Sequence, residues 1–300
     1  MGLKSYDSLK AAVCACFGSD VGIADSTSVS GGDINRAACL LLSNGERVFV
    51  KSNTLENKSF FDAEEAGLAA IASAGKIATP KLICKGCDPG SGTSFLMMEM
   101  IDPARPVRDY WEVFGRELAA LHLADTEKLV PGGRYGFTGD NYIGATEQIN
   151  TPRDTWTAFF RECRLEPQFR MAENCFDSAL LKDILKLLDR IEDILIEPER
   201  PSLIHGDLWS GNIMTGHDGK AMLIDPAAYA GCAEADLAMT ELFGRLPDVF
   251  YRSYDEVYHI QPGYEGRRDL YNLYHLLNHL NLFGSGYLMS VINTVKRYTA

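Results

Sequence analysis

Residues 203–226 read LIHGDLWSGNIMTGHDGKAMLIDP, and this stretch constrains the fold more than any other part of the chain. Asp218-Gly219 is a typical hairpin turn, so it predicts two short antiparallel strands on either side of it. A hairpin returns the chain to its starting point. We therefore expect Asn212, before the first strand, and Asp225, after the second, to lie side by side. Asp207 lies on the loop that enters the hairpin and can face the same space.

The three side chains that this hairpin gathers suit phosphoryl transfer. An amide oxygen and a carboxylate are hard ligands of the kind that Mg²⁺ prefers, so Asn212 and Asp225 are candidate metal ligands. A second carboxylate, Asp207, can accept the proton of a substrate hydroxyl group. Either Asp207 or Asn212 alone would more often only cap a turn, so the hypothesis depends on the set.

The first hundred residues predict a phosphate-binding element. Ser30, Gly31 and Gly32 form a turn between two extended segments, and the later strand ERVFVK ends in Lys51. A lysine that ends an apolar strand and faces a glycine-rich hairpin is suited to binding phosphate. On this stretch alone, a solvated lysine at the edge of a sheet is an equally good explanation.

A helix predicted over residues 59–75 provides a candidate partner for this lysine. Ser59 and Asp62 resemble a capping box at its start. Glu64 and Glu65 are adjacent, so they point in different directions and only one of them can face the lysine-bearing strand.

The order of the predicted elements indicates an α+β chain with two parts. Residues 1–100 contain the strands and the helix described above, whereas residues 101–300 are mostly helical, with amphipathic runs such as 180–194. Asp102-Pro103 marks a break between them, so we place the boundary near residue 100. A chain of 300 residues is long enough for two such units.

Composition and charge narrow the classes of partner. A net charge of −12 argues against a nucleic-acid-binding surface and against adsorption to anionic membranes. The start of the chain carries acidic and polar residues where a signal sequence would be apolar, and no apolar run is long enough to span a membrane. We therefore expect a cytoplasmic protein with reduced cysteines. Cys84 and Cys87 have the spacing of zinc ligands, but no second pair follows, so we expect a loop flanking a strand.

Beyond these patterns, the sequence resembles the fructosamine-3-kinase, or ketosamine kinase, family. HGDLWSGN with its tryptophan is the specific part, since HGDLxxxN alone also fits choline and aminoglycoside kinases. The resemblance covers nearly the whole chain, with matching segments FVK at 49–51, FDAEEAGL at 61–68, FLMMEMI at 95–101, LAALH at 118–122, YGF at 135–137, HGDLWSGN at 205–212, IDPAAYAG at 224–231 and NHLNLFG at 278–284.

The resemblance implies a two-lobed, protein-kinase-like fold that binds ATP between its lobes. The N-terminal lobe is then a small antiparallel sheet with one helix, and the C-terminal lobe is larger and mainly helical. The implied reaction is ATP- and Mg²⁺-dependent phosphorylation of the 3-hydroxyl group of a ketosamine, whose unstable 3-phosphate breaks down and releases the amine. The substrate is a small ketosamine or a glycated lysine, and the protein is a monomer or weak dimer.

Matching positions also imply roles for individual residues. Asp207 is the base, and Asn212 with Asp225 holds the metal. Lys51 contacts the phosphates and pairs with Glu64. The remaining nucleotide contacts are the phosphate turn at Ser30, Gly31 and Gly32, and the backbone of Glu99 and Met100 around adenine.

Three residues are candidates for contact with the acceptor substrate. Trp209 lies two residues from Asp207, and aromatic faces stack on sugars and attract cationic amines, although core packing is the alternative for this ring. His205 of the same motif and Glu234 are weaker candidates. Glu234 could simply lie in the first turn of a helix, where the helix dipole favours acidic residues.

Two other functions stay open at this point. One is another small-molecule kinase of the same fold, acting on an aminoglycoside, choline or a sugar. The other is a nucleotide-binding module without catalysis, which would normally lack one of Lys51, Asp207, Asn212 and Asp225. A regulated protein kinase is disfavoured, because Gly206 replaces the arginine that would pair with a phosphorylated activation loop.

Overall fold

The computed structural model describes residues 2–29, 34–102 and 104–300. Its N-terminal part is built on a six-stranded sheet with the order β1-β5-β6-β4-β3-β2. Only the short edge pair of β1 with β5 is parallel in this sheet. The strands are β1 (Ser5–Tyr6), β2 (Ile23–Val29), β3 (Arg36–Leu42), β4 (Arg47–Thr54), β5 (Leu82–Asp88) and β6 (Thr93–Glu99).

Strand β4 separates apolar from functional side chains by simple alternation. Val48 and Val50 are buried in the core on one face of the sheet. Phe49 packs on the opposite face, which is also the face of Lys51. In the turn before the strand, Gly45 has a φ of 86°, a left-handed conformation that glycine adopts without strain.

Two helices pack against this sheet, α1 (Leu9–Phe17) and α2 (Lys58–Ala74). The predicted capping box at the start of α2 does not form. Asp62 instead accepts hydrogen bonds from Lys58, at 2.6 Å, and from Lys85, at 2.5 Å. The prediction was wrong because it considered only local partners, whereas Lys85 comes from the neighbouring strand β5. All eight cysteines are free thiols, and Cys84 and Cys87 lie within β5 rather than in a loop beside it.

The C-terminal part is mainly helical, and the structure describes six short strands among the helices, paired as three two-stranded sheets. Its amphipathic run at 180–194 is divided at Arg190 rather than continuous. The elements are α3 (Tyr110–His122), β7 (Asn141–Ile143), β8 (Thr146–Gln148), α4 (Trp156–Phe160), α5 (Glu166–Met171), α6 (Ser178–Asp189), α7 (Ile191–Ile194), β9 (Ser202–Ile204), β10 (Ile213–Thr215), β11 (Ala221–Leu223), β12 (Tyr229–Gly231), α8 (Ala233–Leu242), α9 (Asp248–Asp255), α10 (Tyr264–Phe283) and α11 (Leu288–Thr299).

The larger core lies in this C-terminal part and is rich in aromatic side chains. Trp156 is fully buried, and its ring centroid lies 5.3 Å from that of Phe160 and 6.1 Å from that of Tyr271. Helices α3 and α9 approach closely at Gly115, where a Cβ atom would lie 2.4 Å from the carbonyl oxygen of Phe250. None of the helices in the described ranges is long and apolar enough to cross a membrane.

The two parts of the chain meet at α2. The rings of Phe60, on α2, and Tyr142, on β7, stack with centroids 4.0 Å apart, and the Tyr142 hydroxyl hydrogen-bonds the Ser59 hydroxyl at 2.7 Å. A small sheet lobe with its main helix next to a larger helical lobe confirms the predicted α+β, protein-kinase-like fold. The last strand of the six-stranded sheet ends at Glu99, and the boundary near residue 100 stays a prediction.

Candidate active site

The HGDLWSGN loop follows the buried strand β9, and the backbone of its first residues is hydrogen-bonded to Asp236. The backbone N–H groups of His205 and Gly206 donate to the Asp236 carboxylate at 2.6 and 2.8 Å. His122 Nε2 lies 3.2 Å from the same carboxylate, and His122 Nδ1 contacts the Tyr254 hydroxyl. Burial opposes ionisation of Asp236, but the hydrogen bond with His122 and the nearby histidines hold its pKa below the usual value.

Position 206 requires glycine for two reasons, namely the backbone conformation and the lack of space for a side chain. Its φ is 81°, and a Cβ atom there would lie 2.2 Å from the carbonyl oxygen of Ala227. The segment after Asp225 therefore packs directly against the loop. The close approach explains why a glycine stands where protein kinases have an arginine.

Asp207 and Asn212 are joined within the loop. Asn212 Nδ2 donates to the backbone oxygen of Asp207 at 2.8 Å and to its Oδ2 at 3.1 Å. Burial raises the pKa of Asp207 to about 7, the Asn212 hydrogen bond acts in the opposite direction, and the charges of Asp225 and Asp236 add to the rise. The loop thus holds a carboxyl group that changes charge near neutral pH.

Asp225 lies beyond the end of β11, as the hairpin predicts. Its φ is 53°, and it is the only non-glycine residue with a positive φ in the ranges that the structure describes. A left-handed aspartate is a strained conformation of the kind that persists at functional sites. The backbone N–H of the preceding residue, Ile224, donates to the carbonyl oxygen of Asn212 at 3.1 Å, so the two ends of the hairpin are adjacent.

Lys51 connects this hairpin to the N-terminal sheet. Its Nζ donates to Glu64 Oε1 at 2.7 Å and forms an ion pair with Asp225, which lies 174 positions away in the sequence. Burial opposes the charged form of Lys51, but the two carboxylates raise its pKa well above the usual value. Of the adjacent glutamates, Glu64 faces the lysine, whereas Glu65 pairs with Lys85 at 2.7 Å.

These side chains line one cleft between the two parts of the chain. A cavity of about 450 Å³ is bordered by Lys51, Asp207, Asn212 and Asp225 together with Trp209. A second cavity, of about 290 Å³, shares Lys51 and Asp225 with the first. The second cavity is mostly apolar, and its other lining residues are Val29, Phe49, Pro80, Met98, Glu99, Met100, Ile101, Gly211, Met214 and Ile224.

Glu99 is anchored at the edge of the apolar cavity. Its N–H donates to the Lys81 carbonyl oxygen at 2.9 Å, and its Oε1 accepts from the Lys81 N–H at 2.8 Å. These bonds hold the chain in place where β6 leaves the sheet. Glu99 and Met100 therefore border a mostly apolar cavity from a fixed position. Ser30, Gly31 and Gly32 lie outside the described residues.

Trp209 lies at the mouth of the cleft with 39% of its surface exposed. Its ring lies over Gly211, where a Cβ atom would be 2.3 Å from the ring. The ring is thus not part of the core, which removes the packing alternative. It borders both the main cavity and a neighbouring groove, and Asp207 also lines both.

Two predicted substrate contacts are corrected by the structure. His205 is fully buried, and its Nε2 contacts the Ile224 carbonyl oxygen at 2.9 Å, so it cannot reach a substrate in the cleft. Glu234 is buried in a two-pronged ion pair with Arg267, at 2.8 and 2.5 Å, away from the cleft. Sequence reasoning also missed Asp236 as the support of the loop. Its signal was an acidic residue within the apolar run AEADLAM.

The donor set of the cleft fits a divalent metal bound together with phosphates. Because Asn212 Nδ2 is engaged by Asp207, the Asn212 amide oxygen is available to a ligand. In the described residues, no three His, Cys, Asp or Glu side chains cluster as a complete metal site. Mg²⁺ needs few protein ligands, since it keeps waters and takes its remaining oxygens from substrate phosphates.

Fold and site together define a phosphotransferase of the protein-kinase-like class that acts on a hydroxyl group. The profile of the fructosamine kinase family matches residues 6–300. The chain belongs to this family.

Individual relatives agree with the profile over most of the chain. A probable ketoamine kinase of Synechocystis sp. is 41% identical over 279 residues, which cover 92% of this chain and 90% of the relative. A chloroplastic protein-ribulosamine 3-kinase of Oryza sativa subsp. indica is 41% identical over 277 residues, covering 91% and 78%. A crystal structure described as a fructosamine-3-kinase from Thermobifida fusca superposes with a TM-score of 0.82 at 33% identity, covering 98% and 99%.

Proposed function

We propose that this protein uses ATP and Mg²⁺ to phosphorylate the 3-hydroxyl group of a ketosamine, which leads to release of the amine. One observation carries the proposal. Lys51 of the sheet and Asp225 beyond the hairpin form an ion pair across the cleft, and Asp207 with Asn212 borders the same cavity. Names of similar proteins, such as ketoamine kinase and protein-ribulosamine 3-kinase, support the choice of acceptor.

Asp207 is the proposed base. With a pKa of about 7, the Asp207 carboxyl group is ionised in a large fraction of the molecules at cellular pH, so it can accept a proton. The raised pKa also makes it a stronger base than an ordinary aspartate. Asn212 orients it through two hydrogen bonds. The substrate hydroxyl group would therefore be positioned at Asp207 and give its proton to the carboxylate as its oxygen attacks the γ-phosphorus of ATP. The bond between that phosphorus and the bridging oxygen breaks, and ADP leaves.

Lys51 is the proposed phosphate contact, and Glu64 keeps its ammonium group in the cleft. The Asn212 amide oxygen and the Asp225 carboxylate would hold the metal. Mg²⁺, when bound, offsets the negative charge of the phosphates. The apolar cavity beside Glu99 and Met100 is the proposed adenine site, and Ser30, Gly31 and Gly32 are proposed to contact the phosphates through their backbone.

Trp209 is the proposed sugar contact. Its exposed face lies next to Asp207, so a sugar that stacks on the ring can present a hydroxyl group to the carboxylate. The open mouth of the cleft is compatible with both a free ketosamine and a glycated lysine side chain.

The test is phosphorus NMR of the full chain with ATP, Mg²⁺ and a ribulosamine or fructosamine. We expect a new phosphate ester signal, with Asp207→Asn lowering kcat by about 100-fold or more because the proton acceptor is lost. The exposed Asp193→Asn is the matched control and should leave kcat unchanged. Choline and an aminoglycoside serve as alternative acceptors. Phosphorylation of either in preference to both ketosamines would refute the proposal, as would full activity of Asp207→Asn.

A further inference from the structure

We infer that a groove beside Trp209 binds an apolar group on the amine side of the substrate, the part of a ketosamine that is not sugar. The inference rests on the proposed function. The groove has a volume of about 540 Å³, a size typical of small-molecule sites, and it shares Asp207 and Trp209 with the main cavity. Its lining otherwise comes mainly from the loop between β7 and β8, from α8 and from α10.

One wall of the groove is a cluster of four rings, Phe243, His279, Phe283 and Tyr287. The His279 ring centroid lies 4.8 Å from that of Phe243, 5.4 Å from that of Phe283 and 5.0 Å from that of Tyr287. Phe243 is 39% exposed and Phe283 is 56% exposed. Large aromatic side chains that remain exposed next to a reactive carboxylate indicate a surface that a ligand covers.

The charges around the groove favour a ligand that is uncharged at the end farthest from Asp207. Asp207 is the only carboxylate among the described residues that line it, and no lysine or arginine is among them. Burial lowers the pKa of His279, so its ring is neutral at cellular pH. Ile143, Met239 and Leu282 extend the apolar surface. A carboxylate or phosphate on the amine side would find no cation here.

The direction of the groove also fits the chemistry of a ketosamine. Its amine is attached to C1, two carbons from the 3-hydroxyl group that must face Asp207. Lys51 and Asp225, the proposed contacts of the phosphates and the metal, line the main cavity and do not line the groove. An amine substituent that points away from the phosphates can therefore enter the groove, which begins at Asp207 and Trp209. Aromatic faces also attract the ammonium group that links the sugar to this substituent.

The experiment compares ketosamines that share one sugar and differ only in the amine, namely methylamine, benzylamine and glycine. We expect kcat/KM for the benzyl compound to exceed that of the methyl compound by about 10-fold or more, mainly through KM, because the contact is remote from the reacting atoms. The glycine compound should not exceed the methyl compound. Equal kcat/KM for all three would overturn the inference and leave the proposed function intact, whereas no phosphorylation of any of them would contradict the proposed function.

Variants locate the effect in the groove. Phe243→Ala and Phe283→Ala should each reduce the benzyl-over-methyl preference by about 5-fold, since truncation removes part of the apolar contact. Leu185→Ala is the matched control, because Leu185 is 63% exposed on α6, outside the groove. Thermal unfolding checks that each variant is folded. An unchanged preference in both variants would overturn the inference, as would a change in oligomeric state on Phe283→Ala, which would mark the groove as an interface between copies.

Discussion

The segment HGDLW, residues 205–209, is held in different ways at its two ends. At the first end, the backbone of His205 and Gly206 is bound to Asp236, a fully buried carboxylate. At the second end, Trp209 is partly exposed and rests on Gly211 without a hydrogen bond from its ring in the described residues. The same five residues therefore contain a buried, hydrogen-bonded backbone at one end and an exposed ring at the other.

The difference between the two ends corresponds to two requirements of the proposed reaction, namely proton transfer and recognition of the sugar. Proton transfer needs a carboxylate held at a defined position, because small displacements of reacting groups lower the rate strongly. Recognition of a sugar tolerates small shifts of a stacking ring. Asp207 lies between the two ends. The buried end holds its backbone in position, and the exposed ring at the other end is the proposed contact for the sugar.

The largest expected effect comes from removing the buried charge. Asp236→Asn should lower the free energy of unfolding by about 3 kcal/mol, because an amide cannot accept from all the N–H groups around it and leaves a buried donor unpaired. Urea denaturation measures the change. Asp193→Asn, an exposed replacement of the same kind, should stay within about 0.5 kcal/mol of the wild type. Equal stability of the two variants would show that the first end of the loop is not held by Asp236.

A second test probes the close approach at Gly206. Gly206→Ala should cost about 2 kcal/mol of stability and most of the activity, because the Cβ atom would collide with the Ala227 carbonyl oxygen. Gly45→Ala is the matched control for backbone strain alone, since Gly45 has a similar φ and no atom near the added Cβ. It should cost about 1 kcal/mol. If both variants lost the same stability, the collision with Ala227 would make no contribution to the free energy of unfolding.

The pH dependence tests whether burial sets the charge of Asp207. Because its pKa is raised to about 7, the ionised form that accepts a proton is lost as pH falls through that value. We expect kcat/KM to decrease about 10-fold per pH unit below pH 7 and to level off above it. Steady-state kinetics at saturating Mg²⁺ provide the profile. A constant kcat/KM from about pH 6 to about pH 8 would contradict the assignment of Asp207.

The smallest expected effect is at the exposed end. Gly211→Ala should displace the Trp209 ring and raise KM for the ketosamine by about 3- to 10-fold, with stability within about 0.5 kcal/mol of the wild type. Gly211 also borders the proposed adenine site, so KM for ATP is measured in parallel as a control. A loss of stability as large as that of Gly206→Ala would remove the distinction between the two ends.

Much of the site could be predicted because short-range geometry determines it. The turn at Asp218-Gly219 forces Asn212 and Asp225 together whatever the rest of the fold does. Alternation along β4 places Lys51 on the face opposite Val50. Fold class and family are confirmed, whereas the roles of individual residues, the oligomeric state and the cytoplasmic location stay predictions.

The errors concern side chains whose surroundings are set by distant partners. Glu234 is paired with Arg267, 33 positions along the chain, and no local pattern indicates that contact. His205 belongs to the motif but turns inward, because the backbone oxygen of Ile224 and the carboxylate of Asp236 lie beneath the loop. Burial of a polar side chain depends on tertiary packing, which periodicity and spacing do not encode.

The stack of Phe60 on Tyr142 has a consequence for the position of Glu64. It attaches the beginning of α2 to the helical lobe, and further along the helix Gly67 packs against Pro226, just after Asp225. Glu64 lies between these two contacts, and it pairs with Lys51 at 2.7 Å. The packing of one lobe against the other therefore supports the position of a carboxylate that belongs to the sheet lobe.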